Sequence, residues 1–208
     1  MNCLAYGNQK PDEVSAKVAE LVQAETGETP KFEIQEGDAP KTSVGTVVSE
    51  GLDLLFGGRK GVNLFTLDFQ ITLPRPMTLS IPINRQGIGC HAGGLLFVTP
   101  LKLAVTGEVV LKPPKFFSSS KFEGDPLVAD KLNGNSALTK RLKDFVRPKG
   151  NLGGVDIELN HLFKIQPDPA SGAVLVALNM PKSLKMGFAV SLEIKEFAAI
   201  AAMIESSV

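Results

Sequence analysis

The sequence predicts an α+β fold, built mainly from antiparallel sheet with helices packed on one face. Several long segments alternate strictly between apolar and polar residues, which is typical of strands with one buried and one solvated face. Three other segments carry apolar residues at the spacing of an amphipathic helix. The chain has 208 residues, 43% of them hydrophobic. This length suits one domain or two small ones.

The clearest alternation predicts a hairpin. Residues 64–73 and 77–84 both alternate, and Pro74-Arg75-Pro76 separates them as a turn. Large apolar side chains share one face of this hairpin and require a packing partner. Pro82 cannot donate a ladder hydrogen bond, so its strand is predicted to lie at a sheet edge or to carry a bulge there.

Further strands follow along the chain. Residues 101–111, 155–165 and 184–192 alternate in the same way. Residues 173–178 are apolar throughout, which predicts a central strand covered on both faces.

Helices are predicted over residues 12–26, 126–146 and 194–205, with a shorter one over 47–56. In the second, Asp125 is a plausible N-cap before Pro126, and Gly134 is a weak point. The third is rich in alanine and apolar on most sides, so it should be largely buried.

A faint internal repeat divides the chain. Lys31-Phe32-Glu33 returns as Lys121-Phe122-Glu123, and Pro74-Arg75-Pro76 returns as Pro167-Asp168-Pro169, at offsets of 90 and 93 residues. Gly61-Val62-Asn63 returns as Gly154-Val155-Asp156. The identities are few and fit either a duplication or coincidence. A duplication predicts two similar halves, residues 1–112 and 113–208, related by a pseudo-twofold axis. The alternative is a single compact domain.

Charge is unevenly distributed along a chain that is neutral overall, with pI 6.7. Residues 1–56 carry four basic and ten acidic side chains, whereas residues 101–150 carry ten basic and five acidic ones. A dedicated nucleic-acid binder would be markedly basic and would offer aromatic stacking platforms. The chain has no Trp and one Tyr, so we expect no nucleic-acid partner.

The best candidate for a binding surface is a basic amphipathic helix. Its apolar stripe is Leu138, Leu142 and Phe145. The basic residues in and after it are Lys140, Arg141, Lys143, Arg147 and Lys149. Such a helix suits an acidic protein face or an anionic surface. The alternative is that the stripe packs on the sheet and the basic side chains form an ordinary solvated face.

The most enzyme-like segment is the glycine-rich run around Cys90 and His91. A thiolate nucleophile needs a base or a positive field, and glycine-rich backbone can supply an oxyanion hole. Residues adjacent in sequence rarely face each other, however, so His91 is poorly placed to activate Cys90. A flexible glycine-rich connection is the favoured interpretation, and a cysteine-dependent enzyme is the weaker alternative.

Two other kinds of site have weak support. Gly57-Gly58-Arg59-Lys60-Gly61 could cradle an anion with Arg59 and Lys60, but it also reads as an ordinary turn. Two Cys and two His without zinc-ligand spacing predict no metal site. We expect no cofactor.

Taken together, the pattern favours a non-catalytic binding or assembly domain, acting through the basic helix and the acidic N-terminal region. The partner is a protein or a second copy of the chain. A carrier of a small apolar ligand, walled by the C-terminal helix, is an alternative. The N-terminus shows no signal-peptide pattern and no run of about 20 apolar residues spans the chain, so a cytoplasmic location is expected.

Overall fold

A computed structural model describes residues 5–7, 11–36, 62–86, 89–92, 95–112, 120–146, 163–179, 184–185, 188–189 and 191–208. The first half of the chain contributes β1 (Ala5–Gly7), α1 (Pro11–Thr26), β2 (Lys31–Glu36), β3 (Val62–Ile71), β4 (Met77–Gln86), β5 (Gly89–Ala92), β6 (Leu95–Leu101) and β7 (Val109–Lys112). The second half contributes β8 (Lys121–Gly124), α2 (Pro126–Asn133), α3 (Ser136–Val146), β9 (Phe163–Asp168), β10 (Gly172–Asn179), β11 (Leu184–Lys185), β12 (Phe188–Ala189) and α4 (Ile194–Ser207).

The predicted α+β class is confirmed. Eight strands form an antiparallel sheet in the order β2-β3-β4-β6-β10-β9-β7-β8. Strand β4 also pairs with β5, which leads through β1 to β12 and β11. The sheet is continuous across residue 112, because β6 pairs with β10 over residues 95–101 and 173–179. The division into two halves and the pseudo-twofold axis stay predictions.

The hairpin forms where the alternation places it, and the central strand forms where the uninterrupted apolar run places it. Ile71 pairs with Met77 around the Pro74-Arg75-Pro76 turn. Strand β10 lies between β6 and β9, and its side chains from residue 175 to residue 179 are buried. A strand buried on both faces needs apolar residues at every position, which is why this segment does not alternate.

Pro82 lies in the interior of the sheet, so the edge alternative is wrong. Strand β4 pairs with β3 on one side and with β6 and then β5 on the other. The β3–β4 register shifts between Asn63 and Phe65, whereas Pro82 itself pairs regularly with Thr66, so a bulge at Pro82 stays a prediction. On the other side, β4 changes its neighbour near Pro82: Ser80 pairs with Leu96 of β6, and Ile83 pairs with Ala92 of β5.

Two predicted strands are interrupted. Strand β6 ends at Leu101 and β7 begins only at Val109. Between these strands, backbone N–H groups donate to side-chain carboxylates. Lys102 N donates to Glu205 at 2.7 Å, and Thr106 N donates to Asp125 at 2.7 Å. The segment 184–192 contains two short strands that pair with each other, followed by irregular backbone from residue 191. Of the predicted strand 155–165, the structure describes only the part from Phe163, which begins β9.

The helices form the second layer. Helix α1 matches its prediction within one residue, and the predicted helix 126–146 is two helices that separate at Gly134. Asp125 caps α2 as expected, accepting from Leu127 N at 3.1 Å. The predicted helix 47–56 lies outside the described residues.

Three aromatic rings join the helices to the sheet. Phe97 of β6 lies 5.7 Å from Phe145 of α3 and 4.8 Å from Phe197 of α4, measured between ring centroids. Phe145 and Phe197 lie 5.8 Å apart. All three side chains are buried. The two helices therefore pack on the same face of the sheet, and α4 is largely buried as predicted.

Candidate functional site

One side of the basic helix α3 is buried. Asn135 precedes it, and its Oδ1 accepts from Leu138 N at 2.9 Å, which is an N-cap bond. Leu138, Leu142 and Phe145 are each buried. The apolar stripe that the sequence predicts is therefore part of the core and is not a contact surface for a partner.

Arg141 is engaged within the chain. Its Nε donates to Glu196 Oε1 at 2.5 Å and its Nη2 donates to Glu196 Oε2 at 2.8 Å, a bidentate pair between α3 and α4. Nη1 lies 3.4 Å from Met203 Sδ. The hydrogen bond from Arg141 lowers the pKa of Glu196, and the bond to Glu196 raises the pKa of Arg141. Arg141 therefore fastens α3 to α4.

Lys140 and Lys143 are the basic side chains of α3 that face outward. Lys140 is exposed and Lys143 is half-buried. Among the described residues neither has an ion-pair partner. Arg147 and Lys149 lie outside the described residues, as do Arg59 and Lys60.

The acidic N-terminal region is represented by α1. Asp12, Glu13 and Glu20 are exposed, and Glu20 pairs with Lys17 at 2.7 Å. Glu25 has a structural role, because its carboxylate accepts from Leu192 N at 2.5 Å and from Ile194 N at 2.8 Å. These bonds satisfy donors at the N-terminus of α4, where a negative charge is also favoured by the helix dipole.

Helices α1 and α3 both contact α4, through Glu25 from α1 and through Arg141 from α3. The two helices that contact α4 therefore differ in charge, with exposed acidic side chains on α1 and outward lysines on α3. Sequence reasoning missed the two carboxylates that join these helices to α4, because Arg141 and Glu196 are 55 residues apart and no local pattern relates them.

Cys90 and His91 occupy consecutive positions of strand β5. Cys90 pairs with Gly7 of β1 and Arg85 of β4, and His91 pairs with Tyr6 and Asn84. The interpretation of this segment as a flexible connection is wrong for residues 89–92, which form part of the sheet. The backbone pairing holds both residues in the ladder, and the cysteine-dependent enzyme stays a prediction.

Two kinds of feature are absent from the described part of the chain. No group of three or more His, Cys, Asp or Glu residues there could hold a metal ion. None of the helices in the described ranges has the length and apolar character needed to cross a bilayer.

Comparisons of this chain with models of known protein families, with curated proteins and with solved structures found no match.

Proposed function

We propose that this chain is a non-catalytic binding and assembly domain whose contact surface is the helix layer. The supporting observation is that the side chains of α3 fall into two groups with different surroundings. Its apolar residues and Arg141 are committed to the core and to α4, whereas Lys140 and Lys143 face outward. Helix α1, which also contacts α4, carries exposed side chains of opposite charge in Asp12, Glu13 and Glu20, the last of which is paired with Lys17.

A partner suited to this surface is a protein face that carries an acidic patch opposite α3 and a basic patch opposite α1. Two exposed patches of opposite sign steer such a partner and select its orientation. Exposed charges are screened over about 8–10 Å at ordinary salt, so the interaction should weaken as salt rises. A second copy of the chain meets the same requirement, since α1 of one copy can face α3 of the other about a twofold axis.

The test uses fluorescence anisotropy with labelled decaglutamate as a mimic of an acidic protein face. The K140E/K143E double variant should lose binding, whereas K121E, which changes an exposed lysine in β8, should keep it. Arg141 stays unchanged, because reversing its charge would place two carboxylates together and disturb the fold. Far-ultraviolet circular dichroism checks that each variant folds.

A parallel arm uses phosphatidylcholine vesicles with and without phosphatidylserine. Decaglutamate binding that K140E/K143E removes and that salt weakens supports a protein partner. Binding confined to phosphatidylserine vesicles replaces the protein partner with an anionic surface. Equal binding by K140E/K143E and K121E overturns the proposal.

A further inference from the structure

The two outer strands of the eight-stranded sheet differ in what the described residues place against their outer edges. At the β8 edge, the side chain of Asn133 occupies the place of a neighbouring strand. Its Oδ1 accepts from Phe122 N at 2.8 Å and its Nδ2 donates to Phe122 O at 2.9 Å. An edge strand otherwise presents unpaired N–H and C=O groups that can pair with another chain. Asn133 removes that possibility at the centre of β8.

At the β2 edge, β3 is the only strand that pairs with β2 within the described ranges. The side chains of β2 are also incompletely covered, since Phe32 is 40% and Ile34 is 46% exposed. These two residues pair with Phe69 and Leu67, which are buried. The apolar face of the sheet thus continues onto β2 and ends there in contact with solvent.

We propose that β2 pairs antiparallel with β2 of a second copy of this chain, with Phe32 opposite Phe32 about the twofold axis. The charges of β2 select this register. It places Lys31 of each copy opposite Glu33 of the other, and opposite charges directly across a sheet stabilise the pairing. A register centred on Glu33 would place Glu33 opposite Glu33, which is unfavourable.

The polar face of the same strands supports this register. Glu33 lies opposite Asp68 of β3, whose Oδ1 accepts from Ser80 Oγ at 2.5 Å. Burial raises the pKa of Asp68, with a further contribution from the negative charge of Glu33. Within the described ranges neither carboxylate has an ion-pair partner. Lys31 of the second copy would bring a positive charge beside this pair.

This inference concerns a different surface from the helix layer and does not depend on the proposed function. The twofold pairing joins the two sheets edge to edge, so that Phe32 and Ile34 of each copy meet apolar side chains of the other. The common occurrence of closed twofold dimers is consistent with such an isologous contact.

The test measures the dimerisation constant of the full chain by sedimentation equilibrium. K31E should weaken dimerisation by about tenfold or more, because two attractive contacts become repulsive. The charge-swapped K31E/E33K variant should regain the wild-type constant within about threefold, since the side chains at positions 31 and 33 again lie opposite partners of the other sign. K121E is the matched control, because it changes the same tripeptide at the edge that Asn133 closes, and it should leave the constant unchanged.

Each other outcome overturns the proposal. A chain that stays monomeric at millimolar concentration has no self-pairing edge. A dimer that K140E/K143E dissociates and K31E does not would place the contact on the helix layer, in support of the proposed function alone. Complete amide protection of β2 in the monomer would show that another segment of the same chain already covers this edge.

Discussion

The tripeptide Lys-Phe-Glu lies in both outer strands of the sheet, and its phenylalanine has opposite surroundings in the two places. Phe122 of β8 is 2% exposed and lies 5.9 Å from the Phe163 ring in an edge-on contact. Phe32 of β2 is 40% exposed and lies 5.1 Å from Phe69. Helix α2 follows β8 directly and contacts it, and its last residue, Asn133, bonds to Phe122. The comparison teaches that one short sequence can be buried or exposed at a sheet edge, according to what the described residues place against it.

The largest expected effect comes from removing each phenylalanine. F122A should lower the free energy of unfolding by about 3–5 kcal/mol, because it empties a fully buried aromatic site. F32A should cost only about 1–2 kcal/mol, since nearly half of that side chain already contacts solvent. Urea unfolding of both variants at a protein concentration that keeps the chain monomeric measures the difference. Equal losses would mean that β2 is as well covered as β8.

A smaller effect should follow from opening the closed edge. N133A removes both hydrogen bonds to Phe122, and we expect a loss of about 1–2 kcal/mol in the free energy of unfolding. The higher helix propensity of Ala offsets part of that loss. Hydrogen exchange should also show faster exchange of the Phe122 amide.

N133D separates the two hydrogen bonds. Its carboxylate can still accept from Phe122 N, but its second oxygen faces Phe122 O as acceptor against acceptor and adds a negative charge at the C-terminus of α2, so its loss should be at least as large as that of N133A. Loss of stability in N133A without faster exchange at Phe122 would contradict the strand-mimicking role of Asn133.

The smallest effects should appear in the response of the two edges to acid. Hydrogen bonds from Thr106 N and Thr106 Oγ1 hold the pKa of Asp125 below its ordinary value of 3.8, and Asp125 caps the helix that closes β8. Its ionised form therefore stabilises the fold above that value, and the contribution disappears as pH falls through the lowered pKa. D125N should have a lower Tm than the wild type at neutral pH, with the difference shrinking in acid.

Asp68 beside β2 should behave in the opposite sense. Burial raises its pKa above 3.8, so its ionised form disfavours folding at pH values above the raised pKa. D68N should therefore have a higher Tm than the wild type at neutral pH, and the difference should shrink as pH falls through the raised pKa. Thermal scans at neutral and acid pH test both variants. Shifts of the same sign for D125N and D68N would contradict the contrast between the edges.

Local patterns were sufficient for a large part of the fold. Alternation in residues 64–84 predicted the β3–β4 hairpin, and the uninterrupted apolar run predicted the buried strand β10. Helical spacing predicted α1 and α4, and Gly134 marked the break between α2 and α3. These features depend on neighbours within a few residues, where side-chain periodicity reports directly which face is buried.

The candidate site was predictable only in part. The basic side chains of α3 could be read from the sequence, but Arg141 could not be separated from Lys140 and Lys143, because its partner Glu196 comes from another helix. Residues 102–108 were predicted as strand, and hydrogen bonds from their backbone to Asp125 and Glu205 prevent it. In both cases the deciding contact lies far along the chain.

The sequence by itself determined the class of the fold, its main strands and helices, and the polarity of its charge. The tertiary structure alone decided which lysines face outward, which carboxylate joins α3 to α4, and which of two identical tripeptides is covered. The physical reason is that periodicity specifies which side of an element is buried, whereas burial and hydrogen bonding at a given residue depend on what packs against it. For Phe122 that neighbour is α2 with Asn133, and for Phe32 no helix in the described ranges has this role.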